Sequence, residues 1–318
     1  MTAQERLETA LLGAPVVLTR EQVSQRAGLP VEEAHAIWSA LGFPEVPAGQ
    51  LAFTERDAEA LRTVVGLRAD GVIEPDTLLV LARAMGQGLS RLAEAQVDVL
   101  RGQAAGLSLD EVVESATAAA EEVLPQLELL VVHVWRRQFA AATARTLAAL
   151  QTVGLPVMVV GFVDLVGWTR TSRDRDAADL VRLLERFEAE TALRVTAAGG
   201  RVVKTIGDEV MFVADSIAGA AEVALATVEA HAADEQLPEV RAGLALGPVI
   251  SRLGDVFGEP VNLASRLTSE ARPGSVLVDR QAAESLEGDP AYSLQTLKHR
   301  RVQGYGALRP ALLRRASV

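Results

Sequence analysis

The pattern of apolar residues changes at Gly154-Leu155-Pro156, and this change most constrains the fold. Before it, leucine, alanine and valine recur at helical spacing, and Ser108 with Glu111 has the spacing of a capping box. After it, Val157 to Val163 is a continuous apolar run typical of a buried strand, and helical and strand-like stretches alternate. Because glycine and proline end helices, the sequence predicts an all-α domain followed by a domain that mixes helices and strands.

Length and composition indicate a globular protein. The 318 residues suffice for two domains, and 49% hydrophobic with 23% charged residues is a globular balance. The absence of cysteine excludes disulfides, thiolate catalysis and zinc–cysteine sites. We find no signal peptide and no uncharged apolar run of about 18 residues, so we expect a cytoplasmic protein without a membrane span.

The charge is unevenly distributed. The net charge is −11, and residues 1–155 hold 12 arginines, no lysine and 20 acidic residues, a net of −8. Because binding to a phosphate backbone requires clustered positive charge, we expect no nucleic-acid partner. Lys204 and Lys298 are the only lysines in the chain. Each is therefore a candidate for a role that requires a compact ammonium group.

We place an all-α domain at residues 1–125, a helical linker at 126–155 and the mixed domain at 156–318. Within the mixed domain, Arg201 to Ile206 and Val210 to Ala214 are separated by a short glycine-containing turn, which predicts a β-hairpin. Ser251 to Gly258 has the character of a loop or a short strand, and a helix is expected from about Val261.

Two carboxylates are candidates for a metal site. Asp164 ends the first apolar strand, and Asp208 lies in the turn of the predicted hairpin. If the strand lies beside the hairpin, both side chains project from one edge of the sheet. Convergent carboxylates with open positions suit Mg²⁺ or Mn²⁺, and two such ions activate an attacking hydroxyl and stabilise a leaving oxygen. On spacing alone this signal is weak, because aspartates are common at the ends of strands.

Asn262 and Arg266 are four residues apart on a predicted helix and share one face of it. An amide and a guanidinium directed to the same place can hold a ribose and a charged phosphorus centre. The alternative is a helix whose polar residues simply face solvent.

Several motifs, in order, resemble those of the class III adenylyl cyclases. The first is Phe162 to Thr169, the second Lys204 to Met211 and the third Asp255 to Leu267, and Arg241 to Gly247 also fits. The resemblance covers about residues 157–318. It implies an α+β fold, with a ferredoxin-like class III nucleotidyl cyclase catalytic domain behind an all-α regulatory domain.

The resemblance implies a role for each matching residue. Asp164, Asp208 and the Leu165 carbonyl would bind two Mg²⁺ or Mn²⁺ ions. Lys204 and Asp255 would read adenine, which favours ATP over GTP. Asn262 would orient the ribose and Arg266 would stabilise the transition state. Backbone N–H groups of the loop after the first strand would hold the triphosphate: Gly167, Trp168 and Thr169.

Lys298 would reach the terminal phosphates, as a lysine near the C-terminus does in the family. The position after it is His299 instead of the family's usual glycine, so Arg300 and Arg301 are alternatives.

The resemblance also implies a head-to-tail homodimer. The metal-binding aspartates come from one protomer, and the base-reading and transition-state residues come from the other. The expected reaction converts ATP to 3′,5′-cyclic AMP and pyrophosphate.

The first half resembles the regulatory domain of the pH-responsive mycobacterial-type adenylyl cyclases. The matching stretches are Val23 to Pro30, Trp38 to Pro44 and Phe53 to Asp57. This half would restrain catalysis, and its acidic, apolar composition suits a small hydrophobic regulator. His133 on the linker is either packed within the helical structure or a pH sensor.

Three other functions fit parts of the sequence. The first is a DNA-binding transcription regulator, because Glu21 to Leu41 resembles a helix-turn-helix. The second helix of this motif, however, has acidic residues and no lysine or arginine. The second is a diguanylate cyclase, in which Gly207-Asp208-Glu209 would be the signature loop. That family, however, has no equivalents of Asp255, Asn262 and Arg266. A binding domain without activity is disfavoured because every functional position is filled.

Overall fold

The structure is a computed structural model that describes residues 2–104, 106–151, 154–168, 173, 175–298, 300–302 and 306–316, and it leaves the side chains of residues 103, 300–302 and 306–308 undescribed. It divides into two compact units, Met1–Ala144 and Arg145–Val318.

The first unit consists of helices, and α7 runs past its end. Their bounds are α1 Ala3–Leu12, α2 Arg20–Ala27, α3 Val31–Ala40, α4 Glu55–Ala69, α5 Pro75–Gln103, α6 Leu109–Glu122 and α7 Leu124–Leu150. The predicted capping box of Ser108 and Glu111 is confirmed at the start of α6. Leu18, Val23, Ile37, Phe53 and Leu61 are among the buried residues of its core.

The second unit is built on a mixed β-sheet. Its strands are β1 Val157–Leu165, β2 Arg201–Ile206, β3 Glu209–Ala214, β4 Val240–Pro248, β5 Ile250–Arg252, β6 Asp255–Phe257, β7 Val276–Val278, β8 Tyr292–Thr296, β9 Arg300–Val302, β10 Gly306–Leu308 and β11 Ala311–Arg315. Its helices are α8 Ala177–Ala197, α9 Ile217–Ala233, α10 Glu259–Glu270 and α11 Arg280–Leu286.

The main sheet has the order β2-β3-β1-β4-β7-β11-β8, and β5–β6 and β9–β10 form separate two-stranded sheets. In the main sheet β4 and β7 are parallel, and the other pairs are antiparallel. The predicted hairpin is confirmed as β2–β3. The stretch expected as a loop or a short strand instead forms the two strands β5 and β6, because three-residue strands are too short to give a periodic signal.

Helices cover both faces of the sheet. Side chains of α8 and α9 pack with the large apolar cluster around Val163, Phe187 and Phe212. On the other face α10 lies directly on β4: a Cβ at Gly243 would collide with the Thr268 nitrogen and the Ala264 carbonyl. Glycine therefore permits this close approach, which fixes the position of α10 against the strand.

None of the helices in the described part of the chain has both the length and the apolar character needed to cross a bilayer.

Candidate active site

Asp164 and Asp208 meet at one edge of the sheet, as predicted. Asp164 is the penultimate residue of β1, and Asp208 lies in the two-residue turn between β2 and β3. In this turn Gly207 has a φ of 63°, which favours glycine. Because β1 pairs with β3, the Leu165 N–H donates a hydrogen bond to the Asp208 carbonyl at 3.1 Å. The backbone itself therefore holds the two carboxylates at the same edge.

Arg241 contacts Asp164, and no role for this residue is evident from the sequence alone. It lies opposite Asp164 on β4, and its Nε and Nη2 are 2.8 and 2.7 Å from Asp164 Oδ2. Its Nη1 donates to the Ser269 carbonyl on α10 at 2.8 Å. A charged residue within an apolar strand indicates that Arg241 has a specific partner. The sequence does not identify this partner, because it depends on the register of β1 with β4.

Negative charge is concentrated at the edge of the sheet where Asp164 and Asp208 lie. Partial burial, with the charge of Asp164, raises the pKa of Asp208 above its ordinary value. Glu209 is the first residue of β3 and lies opposite Asp164. Burial and then the charges of Asp164 and Asp208 raise the pKa of Glu209 to about 7, against the opposing charge of Arg241. An added cation would relieve this repulsion.

The donor set fits Mg²⁺ or Mn²⁺. Among the described residues no group of three or more acidic or histidine side chains is placed to hold an ion by itself. Mg²⁺ is usually bound through one or two carboxylates plus waters and substrate phosphates. The two aspartates and the neighbouring Leu165 carbonyl therefore fit an ion that arrives with a phosphorylated ligand.

Lys204 on β2 and Asp255 on β6 form a direct ion pair, with Lys204 Nζ 2.7 Å from Asp255 Oδ2. Partial burial raises the pKa of Asp255, but the hydrogen bonds from Lys204 and the Val256 N–H outweigh it and leave that pKa below its ordinary value. Arg201 at the start of β2 donates to the Gly254 carbonyl at 3.1 Å. One cationic donor and one anionic acceptor therefore lie side by side, both partly exposed.

Asn262 and Arg266 are exposed on α10 and directed away from the sheet. The buried face of this helix includes Ala264 and Thr268. Each exposed residue is two positions from Ala264, which is a rotation of about 200° around the helix axis. The two side chains thus share the face opposite the sheet of their own chain.

The remaining predicted residues follow β1 and β8 in the sequence. Gly167 has a φ of 72° in the turn after β1, and Trp168 packs against the core cluster of the sheet. Thr169 lies outside the described residues. Lys298 is exposed after β8 and lines an open pocket with Thr296, Leu297 and Arg309. His299 and the side chains of residues 300 and 301 are also outside the described set.

Comparison with known proteins identifies the family. A family model described as the adenylate and guanylate cyclase catalytic domain matches residues 154–314. The chain is 40% identical to an adenylate cyclase from Streptomyces coelicolor, over 98% of this chain and 89% of that protein. It is 31% identical to a pH-sensitive adenylate cyclase from Mycobacterium tuberculosis, over 86% of this chain and 71% of that protein.

Among solved structures, the adenylyl cyclase CyaB from P. aeruginosa is 21% identical, with a TM-score of 0.45, over 51% of this chain and 95% of that one. The resemblance to the mycobacterial-type adenylyl cyclases is confirmed over most of the chain. The chain belongs to the family of the adenylate and guanylate cyclase catalytic domains.

Proposed function

We propose that this protein is an adenylyl cyclase that converts ATP to 3′,5′-cyclic AMP and pyrophosphate. The observation that carries the proposal is the ion pair of Lys204 and Asp255, which presents a donor beside an acceptor. Adenine offers a ring nitrogen that accepts from the lysine and an exocyclic amine that donates to the aspartate. The relatives named adenylate cyclase, 35 to 41% identical over most of the chain, support the same substrate.

In the reaction the ribose 3′-oxygen attacks the α-phosphorus. The new P–O bond closes the ring, the bond to the β-phosphate oxygen breaks, and pyrophosphate leaves while the hydroxyl proton passes to solvent. Asp164, Asp208 and the Leu165 carbonyl would hold the ions. When bound, two Mg²⁺ or Mn²⁺ ions supply activation of the attacking hydroxyl and neutralisation of the phosphate charge.

Asn262 would orient the ribose, and Arg266 would stabilise the charge that develops on the phosphoryl oxygens. Both side chains are directed away from the sheet that carries Asp164. This direction supports a homodimer in which each site takes its carboxylates from one protomer and these two residues from the other. A two-fold pair then has two complete sites.

The triphosphate would bind at the loop after β1 and near Lys298, which follows β8. Backbone N–H groups from Gly167 to Thr169 can cradle phosphates, and the left-handed φ of Gly167 permits such a turn. Lys298 would contact the terminal phosphates, and its position in an open pocket beside Arg309 supports this role.

We propose that residues 1–125 form a regulatory domain, 126–155 a helical linker and 156–318 the catalytic domain. The linker helix α7 has no buried residue, and it exposes Trp135, Phe139 and Leu147. Such an exposed apolar surface can be covered by another surface in one state and open to solvent in another. This suits a regulatory half that changes between two states. His133 is also exposed on α7, which does not support the interpretation of a packed histidine.

We also propose that a small hydrophobic regulator binds the first unit. The cavity lined by Val23, Ala34, Trp38 and Phe53 has a volume of about 20 Å³, which accommodates about one water molecule. Support for an apolar regulator therefore comes from the exposed apolar residues of α5 and α7, among them Met85, Leu89, Trp135 and Phe139.

The experiment that tests this function is a cyclase assay of the purified chain with ATP and GTP, with Mg²⁺, Mn²⁺ or chelator. We expect cyclic AMP and pyrophosphate in equal amounts, dependence on the metal, and a clear preference for ATP. An equal rate with GTP would contradict the role of Lys204 and Asp255. The absence of any cyclic nucleotide under all conditions would contradict the proposed activity.

A further inference from the structure

His231 is a buried polar residue to which the proposed reaction assigns no role. It lies in the last turn of α9 and is 2% exposed, and its ring packs edge-on against Phe187 of α8 at a centroid distance of 5.7 Å. Burial lowers the pKa of His231 below its ordinary value, so the imidazole is neutral at pH 7. Burying a polar ring costs free energy that an apolar side chain against Phe187 would avoid. Packing alone therefore does not explain a histidine here.

The imidazole binds the segment that connects α9 to β4. Its Nδ1 lies 2.8 Å from the Pro238 carbonyl, and because a carbonyl can only accept, Nδ1 carries the proton. Nε2 is buried and has no hydrogen-bond partner among the described residues. Pro238 has no backbone N–H, so this carbonyl is its only polar group. His231 therefore ties the end of the connecting segment to the end of α9.

The residue after Pro238 holds the loop that follows β1. The Glu239 carbonyl accepts a hydrogen bond from the Val166 N–H at 2.8 Å, which continues the pairing of β1 with β4 beyond the end of β1. Val166 lies between Leu165, whose carbonyl we assign to the ions, and Gly167, where the loop assigned to the triphosphate begins. A displacement of Pro238 would therefore move the acceptor that holds this loop.

We propose that His231 is a positioning residue for the loop after β1, acting through the carbonyls of Pro238 and Glu239. The inference rests on the proposed function, because that function assigns the loop to the metal ions and the triphosphate. His231 itself touches neither. Loss of a group that orients the direct ligands of a metal typically costs about 10- to 100-fold in metal affinity or activity. A shift near 1 Å at a catalytic group is enough for such a loss.

Two variants separate the hydrogen bond from the packing. His231→Leu fills the apolar site but cannot donate, whereas His231→Asn retains a donor near the position of Nδ1 and leaves a void beside Phe187. The matched control is Tyr292→Phe, which removes the hydroxyl that contacts the Ala218 carbonyl and Glu222 at the other end of α9. Tyr292 lies on β8, three positions from β4 in the sheet.

The first readout is the steady-state kinetics of the full chain with ATP and Mg²⁺. His231→Leu should raise KM for ATP by about tenfold or more, because the loop no longer holds the triphosphate in place. His231→Asn should keep KM near that of wild type even though the void lowers its thermal midpoint. Tyr292→Phe should lower the thermal midpoint without changing KM. A purely structural defect reduces the folded fraction, and therefore kcat, but leaves KM unchanged.

The second readout is the loop itself in the metal-free chain. Trp168 follows Gly167 and packs, partly buried, against the core cluster of the sheet. The chain has three tryptophans, so 5-fluorotryptophan gives three ¹⁹F NMR signals, and Trp168→Phe assigns the one from the loop. His231→Leu should shift or broaden this signal. His231→Asn and Tyr292→Phe should leave it near its wild-type position.

A measurement on wild type covers the case in which a variant does not fold. Histidine is labelled with ¹⁵N, and the imidazole nitrogens are followed while Mg²⁺ and a non-hydrolysable ATP analogue are added. Because coupling between two sites is reciprocal, a ligand bound at the loop should shift the His231 signals. The signals of His35, which lies on α3 in the first unit, should stay constant.

The results separate this proposal from the proposed function. If His231→Leu keeps the KM and the Trp168 signal of wild type, or if the bound ligand leaves the His231 signals unchanged, the positioning role is overturned and the proposed function stands. Equal impairment of His231→Asn and His231→Leu would also overturn it, because packing would then explain both. If wild type forms no cyclic AMP, the proposed function fails, and the ¹⁹F comparison decides on His231 by itself.

Discussion

Lys204 and Asp255 are 51 positions apart in the sequence, yet the lysine Nζ lies 2.7 Å from the aspartate Oδ2. The pair joins the end strand β2 to the short strand β6. In the protein alone, each group neutralises the other at a partly exposed site. The proposed role of the pair requires a purine that offers the complementary acceptor and donor, and adenine does so.

The first prediction concerns base selection. Reversing the pair with Lys204→Glu and Asp255→Lys keeps an ion pair but exchanges donor and acceptor. We expect kcat/KM for ATP to fall by about 10²-fold or more, because the exchanged donor and acceptor would no longer match those of adenine and polar groups covered by the bound base would be left unpaired. The measurement is kcat/KM for ATP and GTP, with circular dichroism as the control for folding. A reversed variant that still prefers ATP as wild type does would remove Lys204 and Asp255 from base reading.

The second prediction concerns the two carboxylates that we propose as metal ligands. Asp164→Asn and Asp208→Asn should each lower cyclase activity by about 10³-fold, because charge stabilisation worth several kcal/mol is lost. Binding of Mn²⁺ with a non-hydrolysable ATP analogue, measured by calorimetry, should weaken in parallel. The control is Glu284→Gln, an exposed carboxylate that pairs with Arg280 on α11. Activity near wild type in either Asn variant would contradict the metal assignment.

The third prediction concerns pH and stability without metal. The pKa of Glu209 is raised from its ordinary value of 4.5 to about 7, so the folded protein holds this proton more tightly than the unfolded chain does. The stability that this bound proton contributes is complete below pH 4.5 and is lost as the pH rises through 7.

Glu209→Gln is neutral at every pH and should lack this loss. The measurement is urea unfolding of the metal-free chain between pH 5 and pH 8, for wild type and variant. Wild type should lose stability relative to the variant over this range. Parallel pH profiles would show that Glu209 does not titrate there.

Much of the architecture could be predicted from the sequence, because its signals are local. The β2–β3 hairpin with Asp208 in its turn followed from two apolar runs around glycine. The contact of Lys204 with Asp255 has no local signal, and it was expected only through resemblance to a family. The contact of Arg241 with Asp164 was missed, because it depends on which residues of two distant strands lie opposite each other.

The fourth prediction concerns control by the first half of the chain. Helix α7 ends at Leu150, seven residues before β1, and β1 carries Asp164. A shift near 1 Å at a catalytic group can cost about 10²-fold in rate, so a modest movement of the helix suffices as a switch. We expect residues 150–318 and the full chain to differ in rate and in pH–activity profile.

The control for this prediction is His133→Ala in the full chain. An altered pH–activity profile would assign the pH response to His133. An unchanged profile would show that regulation by the first half does not depend on His133. Identical rates and profiles for the full chain and residues 150–318 would contradict regulation by the first half.

The central claim, that two protomers share each active site, is tested most directly by complementation. Asp164→Ala and Asn262→Ala are purified separately, mixed in equal amounts and assayed for cyclic AMP, with mixed dimers verified by differently tagged chains. Each variant alone should be inactive. The mixture should recover about a quarter of wild-type activity, because random pairing makes half of the dimers mixed and each of these holds one intact site of two. A mixture that stays inactive although mixed dimers have formed would contradict the shared site.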